Sequence, residues 1–243
     1  MNELLWIGML VLNFASIILF YRAFGKIGLF IWIPIAVILA NIQVVKTIEL
    51  FSLSATLGNI IYATSFLVTD ILSENYGKQE AKRAVYMGFF SLIVMALLMN
   101  LALLFKPSAE DFAQESLVTI FSLIPRIAGA SLLAYAISQT HDVWAYHFLK
   151  KRFPSPKLIW VRNNASTAVS QLIDSVIFTI VAFAGKFPPD VLFEIVLSTY
   201  LLKVIAAIAD TPFIYIARRM KIRGKVPDTG PSTQTSAGED NVR

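Results

Sequence analysis

Four uncharged apolar runs of about twenty residues, at 4–20, 27–45, 50–69 and 84–105, constrain this chain more than any other feature. A run of that length is what a helix needs to cross a hydrocarbon layer of about 30 Å. Three further runs are as long but hold ionisable residues: Arg126 in 117–139, Asp174 in 165–185, and Glu194, Lys203 and Asp210 in 191–217. Only 15% of the chain is charged and 56% is hydrophobic, whereas a soluble domain carries about 25% charge. The surface of a soluble fold could not be covered, so lipid must solvate the runs. Lipid offers the backbone no hydrogen-bond partner, and strand-length alternation is missing, so the runs are read as helices. The expectation is an all-α polytopic membrane protein of seven transmembrane helices, or six if the short first run lies at the interface. That run has no basic leader and no A-x-A cleavage site, and is read as a retained span. A soluble enzyme, a disordered chain and a free nucleic-acid-binding module are excluded.

The net charge of +5 and isoelectric point near 9.4 are explained by topology. With the N-terminus outside and seven alternating spans, 16 of the 21 Lys and Arg residues fall inside. They are Arg22 and Lys26; Lys78, Lys82 and Arg83; Lys150, Lys151, Arg152, Lys157 and Arg162; and the group from Arg218 to Lys225 with Arg243. Only Lys46, Lys106 and Lys186 fall outside. That asymmetry is the positive-inside pattern, with N-out and C-in, and it removes nucleic acid as a partner. Residues 1–223 are read as one transmembrane helical domain, and 224–243, rich in Gly, Pro, Ser and Thr, as a disordered cytoplasmic tail. There is no phosphate-binding G-x-x-x-x-G-K-[ST] loop, no cysteine and only two histidines, so ATP hydrolysis, thiol chemistry and a histidine-rich metal site are not expected. No cofactor is called for, and no nucleophile constellation supports an enzyme.

Charges inside a span cost about 2.5–3.5 kcal/mol each on insertion scales and mark pathways or binding cavities. Counted from the ends of their runs, Arg126, Asp174 and Lys203 all fall near the midplane, with Asp210 two turns beyond Lys203 on the same face. Two readings stand side by side: an ion-pair network that holds the bundle, with Asp174 facing Arg126 or Lys203, and a polar cavity for a solute. Further polar residues recur at helical spacing. Tyr135, Ser138, Gln139 and Asp142 form one stripe, and Asn163, Asn164, Thr167, Ser170, Gln171 and Asp174 a longer one. Both contain Ala-x-Ser-Gln-x-x-Asp, offset by 32 residues, as an internal duplication would leave. Amides, hydroxyls and carboxylates on one face suit a ligand with several donors and acceptors better than an ion. Thr179 and Ser131 are expected to act as helix–helix contacts.

Asp70 and Glu74, four residues apart near the inner end of the third run, share a helix face that Gly77 can terminate. Carboxylates at a helix C-terminus oppose its dipole, so a cation is expected to meet them, with Arg162 or the Lys82/Arg83 pair as candidates.

The segment from Ser65 through Thr69, Asp70, Glu74, Asn75, Tyr76 and Gly77 to Ala81 resembles the signatures of the bacterial queuosine precursor transporters, the vitamin uptake transporter (VUT) family. So does the segment from Arg162, Asn163 and Asn164 through Ser170 and Gln171 to Asp174, with Ser138-Gln139-x-x-Asp142 between them. The likeness covers roughly residues 50–215. It implies uptake of 7-cyano-7-deazaguanine and 7-aminomethyl-7-deazaguanine across the bacterial cytoplasmic (inner) membrane. It also implies a bundle like the substrate-binding subunits of energy-coupling-factor vitamin transporters, without their ATPase partner. The alternative is that the chain is such a binding subunit of an ATP-driven importer. A deazaguanine offers a ring N–H and an exocyclic amine that one carboxylate, Asp174 or Asp142, accepts together. Its carbonyl needs a donor such as Asn163, Asn164, Gln139 or Gln171, and its face an aromatic such as Tyr135, Trp144 or Phe178. The candidate substrate-binding set is therefore Asp70, Glu74, Arg126, Tyr135, Gln139, Asp142, Arg162, Asn163, Asn164, Gln171, Asp174 and Lys203. The partners expected are the deazapurine and the lipid bilayer, with homo-oligomerisation left open.

Overall fold

The computed structural model describes residues 1–152 and 159–227, without the side chains of residues 139, 142, 143, 146, 147, 150, 159–167 and 207. The described chain is mainly helical: α1 (Asn2–Gln43), α2 (Asn59–Tyr76), α3 (Lys78–Ala102), α4 (Gln114–Phe121), α5 (Ile124–Arg152), α6 (Ile159–Phe183) and α7 (Pro189–Ile222). Between α1 and α2 lies a two-stranded antiparallel ribbon, β1 (Thr47–Leu50) and β2 (Leu53–Thr56). Among the described residues, four stretches are long and apolar enough to cross a membrane: Asn2–Gln43, Lys78–Ala102, Gln114–Ser138 and Pro189–Ile222. The shorter apolar helix Ala168–Phe183 accompanies them. Large apolar side chains such as Phe90, Leu97 and Leu101 of α3 stand exposed on their outer faces. A bundle that turns such residues outward is solvated by lipid.

The first two apolar runs form a single element, yet 42 residues of straight helix would measure about 63 Å, twice the hydrocarbon thickness. The chain resolves this by doubling back at Gly25, whose φ of 59° and ψ of −140° leave the helical region in a conformation that glycine adopts freely. The reversal is visible in the side chains. Phe20 and Trp32 would be about 18 Å apart on a straight helix, but their rings meet edge-on at 5.2 Å between centroids. The carbonyl of Pro227 lies 2.5 Å from where a Cβ on Gly25 would sit, and Val226 packs on the main core. The start of the expected tail is thus folded against the bend; residues 228–243 lie outside the described part.

Two expectations are corrected. The third run was expected to be helical from residue 50, but its first part is the ribbon, paired Thr47 with Thr56 and Leu50 with Leu53. Its turn residues Phe51 and Ser52 both take positive φ, 50° and 61°, the conformation that matches the twist of a two-residue hairpin. Side chains of α7 serve Ser54: Glu194 accepts its N–H at 2.9 Å and the Ser198 hydroxyl donates to its carbonyl at 2.9 Å. Non-helical backbone is tolerated at this depth because protein groups satisfy it. The fifth run is also interrupted, with α4 ending at Phe121 and α5 beginning at Ile124. Pro125, in the first turn of α5, lacks the N–H that a continuous helix would need there.

α2 runs through the middle of the assembly, against α1, α3 and α7, while α5 and α6 lie along each other. Its start is pressed against α1: a Cβ on Gly58 would stand 2.2 Å from the carbonyl oxygen of Ala40. We expect Gly58→Val to force the two helices apart, at about 1–3 kcal/mol for overpacking. A lowered thermal unfolding temperature of the detergent-solubilised protein would show it.

Candidate functional site

The deepest polar feature lies where α6 and α7 meet α1 and α2. Asp174 of α6 and Lys203 of α7 are both buried, with side chains 9% and 5% exposed, and the lysine ammonium donates directly to Asp174 Oδ2. Ser138 of α5 stands 3.4 Å from the other carboxylate oxygen. Lys203 also sits over the ring of Tyr62 of α2, 5.3 Å from its centroid, so an aromatic face shares in holding the cation. The choice left open by the sequence is settled in favour of Lys203 as the partner of Asp174.

Around this pair is a cavity lined by Asn41 and Val44 at the end of α1, Gly58, Asn59 and Tyr62 of α2, Ser131 and Ala134 of α5, Phe178 of α6 and Thr199 of α7. The enclosed space is small, about 30 Å³, and is partly open to the outside. Asn59 donates its amide to Thr199 Oγ1 at 2.8 Å, a contact buried between α2 and α7. Asn41 donates to the carbonyl of Val37, one turn back, at 2.8 Å. The set can grip a flat, polar solute from several sides: a carboxylate and two amides to accept, an ammonium and a hydroxyl to donate, and two aromatic rings.

Arg126 lies apart from the pair. It is the third residue of α5, and it is exposed. Its Nε donates to the carbonyl of Val181 and its Nη2 to that of Ala184, both at 2.7 Å. Carbonyls in the last turn of a helix have no intrahelical partner, and the guanidinium supplies one for α6.

Asp70 and Glu74 are on one helix as expected, but their partners differ from expectation. Glu74 pairs with Arg218 of α7 at 3.3 Å. The Arg83 cation goes to Glu80 at 2.7 Å, which Lys26 also meets at 3.2 Å. Asp70 has no ion pair among the described residues, and the nearby carboxylate of Asp210, itself buried, acts on it electrostatically. The end of α2 is fastened by hydrogen bonds instead: Lys221 donates to the carbonyl of Asn75, and the Asn75 amide to the Tyr21 hydroxyl at 3.0 Å.

Tyr135 packs edge-on against Phe89, 4.9 Å between centroids, and Trp144 stacks on Phe148; neither lines the cavity, whereas Phe178 does. Gln171 carries a buried carbonyl oxygen without a hydrogen bond among the described residues, outside the cavity lining. Thr179, expected as a helix–helix contact, has a buried hydroxyl without a partner among the described residues, and Ser131 lines the cavity. The side chains of Gln139, Asp142, Arg162, Asn163 and Asn164 lie outside the described residues. Asn41, Asn59, Tyr62 and Thr199 were missed. Asn41 and Asn59 are isolated amides at the edges of apolar segments rather than members of a stripe, and that isolation was the signal available.

Fold and buried charge together define a multi-pass helical membrane protein. A family model described as "Putative vitamin uptake transporter" matches residues 56–217. A protein of Bacillus subtilis (strain 168) called "Probable queuosine precursor transporter" is 49% identical over 219 residues, 90% of this chain and 96% of the relative. The "Queuosine precursor transporter" of Escherichia coli (strain K12) is 27% identical over 175 residues, 70% of this chain and 75% of the relative. A Haemophilus influenzae protein called "Probable queuosine precursor transporter" is 27% identical over 140 residues, 57% of this chain and 56% of the relative. No solved structure matches the chain. The chain belongs to the vitamin uptake transporter (VUT) family, that of the queuosine precursor transporters.

Removing one member of a buried ion pair strands the other, at about 3–5 kcal/mol, whereas neutralising both is far cheaper. Lys203→Met should therefore lower the unfolding temperature in detergent markedly, and Asp174→Asn combined with Lys203→Met should recover most of the loss. A double variant no better than the single would show that the pair is not coupled.

Proposed function

We propose that this protein carries queuosine precursors, 7-cyano-7-deazaguanine and 7-aminomethyl-7-deazaguanine, into the cell across the cytoplasmic (inner) membrane through the cavity around Asp174 and Lys203. The names of its relatives support the substrate class. The observation that carries the site is the Asp174–Lys203 pair itself, set among amides, a hydroxyl and two aromatic rings. An ion pair kept only for stability is often replaceable by apolar residues without loss. A pair that borders unfilled space can serve a ligand instead.

A deazaguanine presents its ring N–H and exocyclic amine side by side, and the Asp174 carboxylate accepts both. The ligand then takes the place of Lys203, and the freed ammonium turns to the ring carbonyl or stays over the Tyr62 face. Each charge keeps a hydrogen-bonding or aromatic partner through the exchange, which offsets part of the cost of parting the pair, since the neutral ligand brings no counter-charge. Phe178 and Tyr62 supply apolar surface for the ring. The amide and hydroxyl groups penalise look-alikes that would leave them unpaired. Seven passes with the N-terminus outside, as the Lys and Arg distribution favours, put the Lys- and Arg-rich segments in the cytoplasm.

The test is uptake of labelled 7-cyano-7-deazaguanine by cells unable to make it, with queuosine in tRNA as readout. Wild type should restore queuosine. Asp174→Asn and Lys203→Met, at equal membrane levels, should each reduce initial uptake at least tenfold. Failure of well-expressed wild type to restore queuosine would overturn the substrate, and full activity of Asp174→Asn would overturn the site.

A further inference from the structure

The carboxylate of Asp174 can accept two N–H groups of a deazaguanine, yet the free base has four N–H bonds. Two remain: the second hydrogen of the exocyclic amine and the N–H of the five-membered ring. Both lie on the edge of the molecule away from its ring carbonyl. A buried site that left them without acceptors would be penalised for each.

Two acceptors of the right kind line the cavity. Asn41 is 7% exposed and Asn59 4%, so both side chains are withdrawn from lipid and water. The Asn41 amide nitrogen donates to the Val37 carbonyl; because a carbonyl can only accept, this bond fixes which end of the side chain is oxygen. The Asn59 amide nitrogen donates to Thr199 Oγ1. In each residue the side-chain oxygen makes no hydrogen bond among the described residues. Neither oxygen is sealed off from accessible space, and two open acceptors on residues that line one cavity beside a charged pair describe half of a recognition site. They come from different elements, the end of α1 and the start of α2, pressed together at Gly58.

We infer that Asn41 and Asn59 are specificity-determining residues whose side-chain carbonyls accept the N–H groups of the ligand that Asp174 does not. This rests on the transport reading above and refines it: the solute is a free base with an unsubstituted ring N–H, not a nucleoside, whose sugar would occupy that position. Lys203, Thr199, Ser131 and Tyr62 carry the donors of the site and Asp174, Asn41 and Asn59 its carboxylate and amide acceptors, and those three acceptors suit an N–H-rich heterocycle.

The test compares two ligands of one shape. One is 7-cyano-7-deazaguanine. The other is its furan isostere, 2-amino-4-oxofuro[2,3-d]pyrimidine-5-carbonitrile, in which a ring oxygen replaces that N–H and faces the same acceptors with a lone pair. Competition against uptake of the labelled first compound is measured for wild type, Asn41→Leu and Asn59→Ala. Wild type should favour the pyrrole compound at least tenfold. In at least one variant the ratio should fall below about threefold, because removing the acceptor removes the reason to reject the oxygen. A lesion that only loosened the packing would weaken both ligands alike and leave the ratio standing. Equal competition by the two compounds in wild type, or an unchanged ratio in both variants, overturns the assignment while leaving the transport reading intact. No uptake of the labelled compound by wild type overturns the transport reading, and this assignment with it. Should Asn59→Ala fail to reach the membrane, Asn41→Leu decides, since its bond is to its own helix and ties no neighbouring element.

Discussion

A carboxylate and an ammonium far from water must meet each other or be neutralised, and the contact between Asp174 and Lys203 is where the bundle answers that demand. It joins α6 to α7, and the Tyr62 ring under the ammonium brings in α2. Ser138 adds α5. Four helices thus converge on one pair of charges. The cavity is the space left where their side chains cannot fill the angle between them. Because the pair borders that space, a ligand with N–H groups for the carboxylate or a carbonyl for the ammonium could compete for either partner.

The second demand is that the backbone satisfy itself wherever lipid or a dry interior surrounds it. Three irregularities in the described chain meet it with protein groups. The ribbon between α1 and α2 pairs its own strands and borrows Glu194 and Ser198 from α7. The end of α6 borrows the Arg126 guanidinium. Lys221 of α7 serves the end of α2 through the carbonyl of Asn75. Two of the residues that look like functional charges in a hydropathy reading, Glu194 and Arg126, are engaged in such support, and Glu74 is paired with Arg218. The charges left over for chemistry are few.

How much of this could be read beforehand depended on whether the determining interaction was local. Lys203 as a buried charge in α7, Asp174 as its counterpart, and Phe178 beside them follow from their positions within apolar runs. The place of Arg126 apart from the pair did not, because the carbonyls of Val181 and Ala184 that hold it are brought beside it only by packing. A cation meets Glu74 as expected, but it is Arg218 rather than Lys82 or Arg83, and the Arg162 side chain lies outside the described residues. The candidate cations were sought among sequence-assigned inner loops, whereas α7, over a hundred residues away, brings Arg218 to Glu74. Asn41 and Asn59 passed unnoticed because one amide in an apolar stretch looks the same whether it bonds its own helix or faces a cavity.

The sequence by itself determined the solvent and the secondary structure: twenty-residue apolar runs require lipid and helices, whatever their arrangement. It also determined the family, since the stretches around Asp70–Gly77 and Asn163–Asp174 are local in the chain and need no fold to be recognised. Tertiary structure alone decided which helices meet, that the first two runs fold back on Gly25, that residues 47–56 form a ribbon, and which polar groups share a cavity. The reason is physical. Propensity and hydropathy act on neighbours along the chain, while pairing a buried charge or an amide depends on residues brought close only by packing, here Asp174 with Lys203 and Asn59 with Thr199.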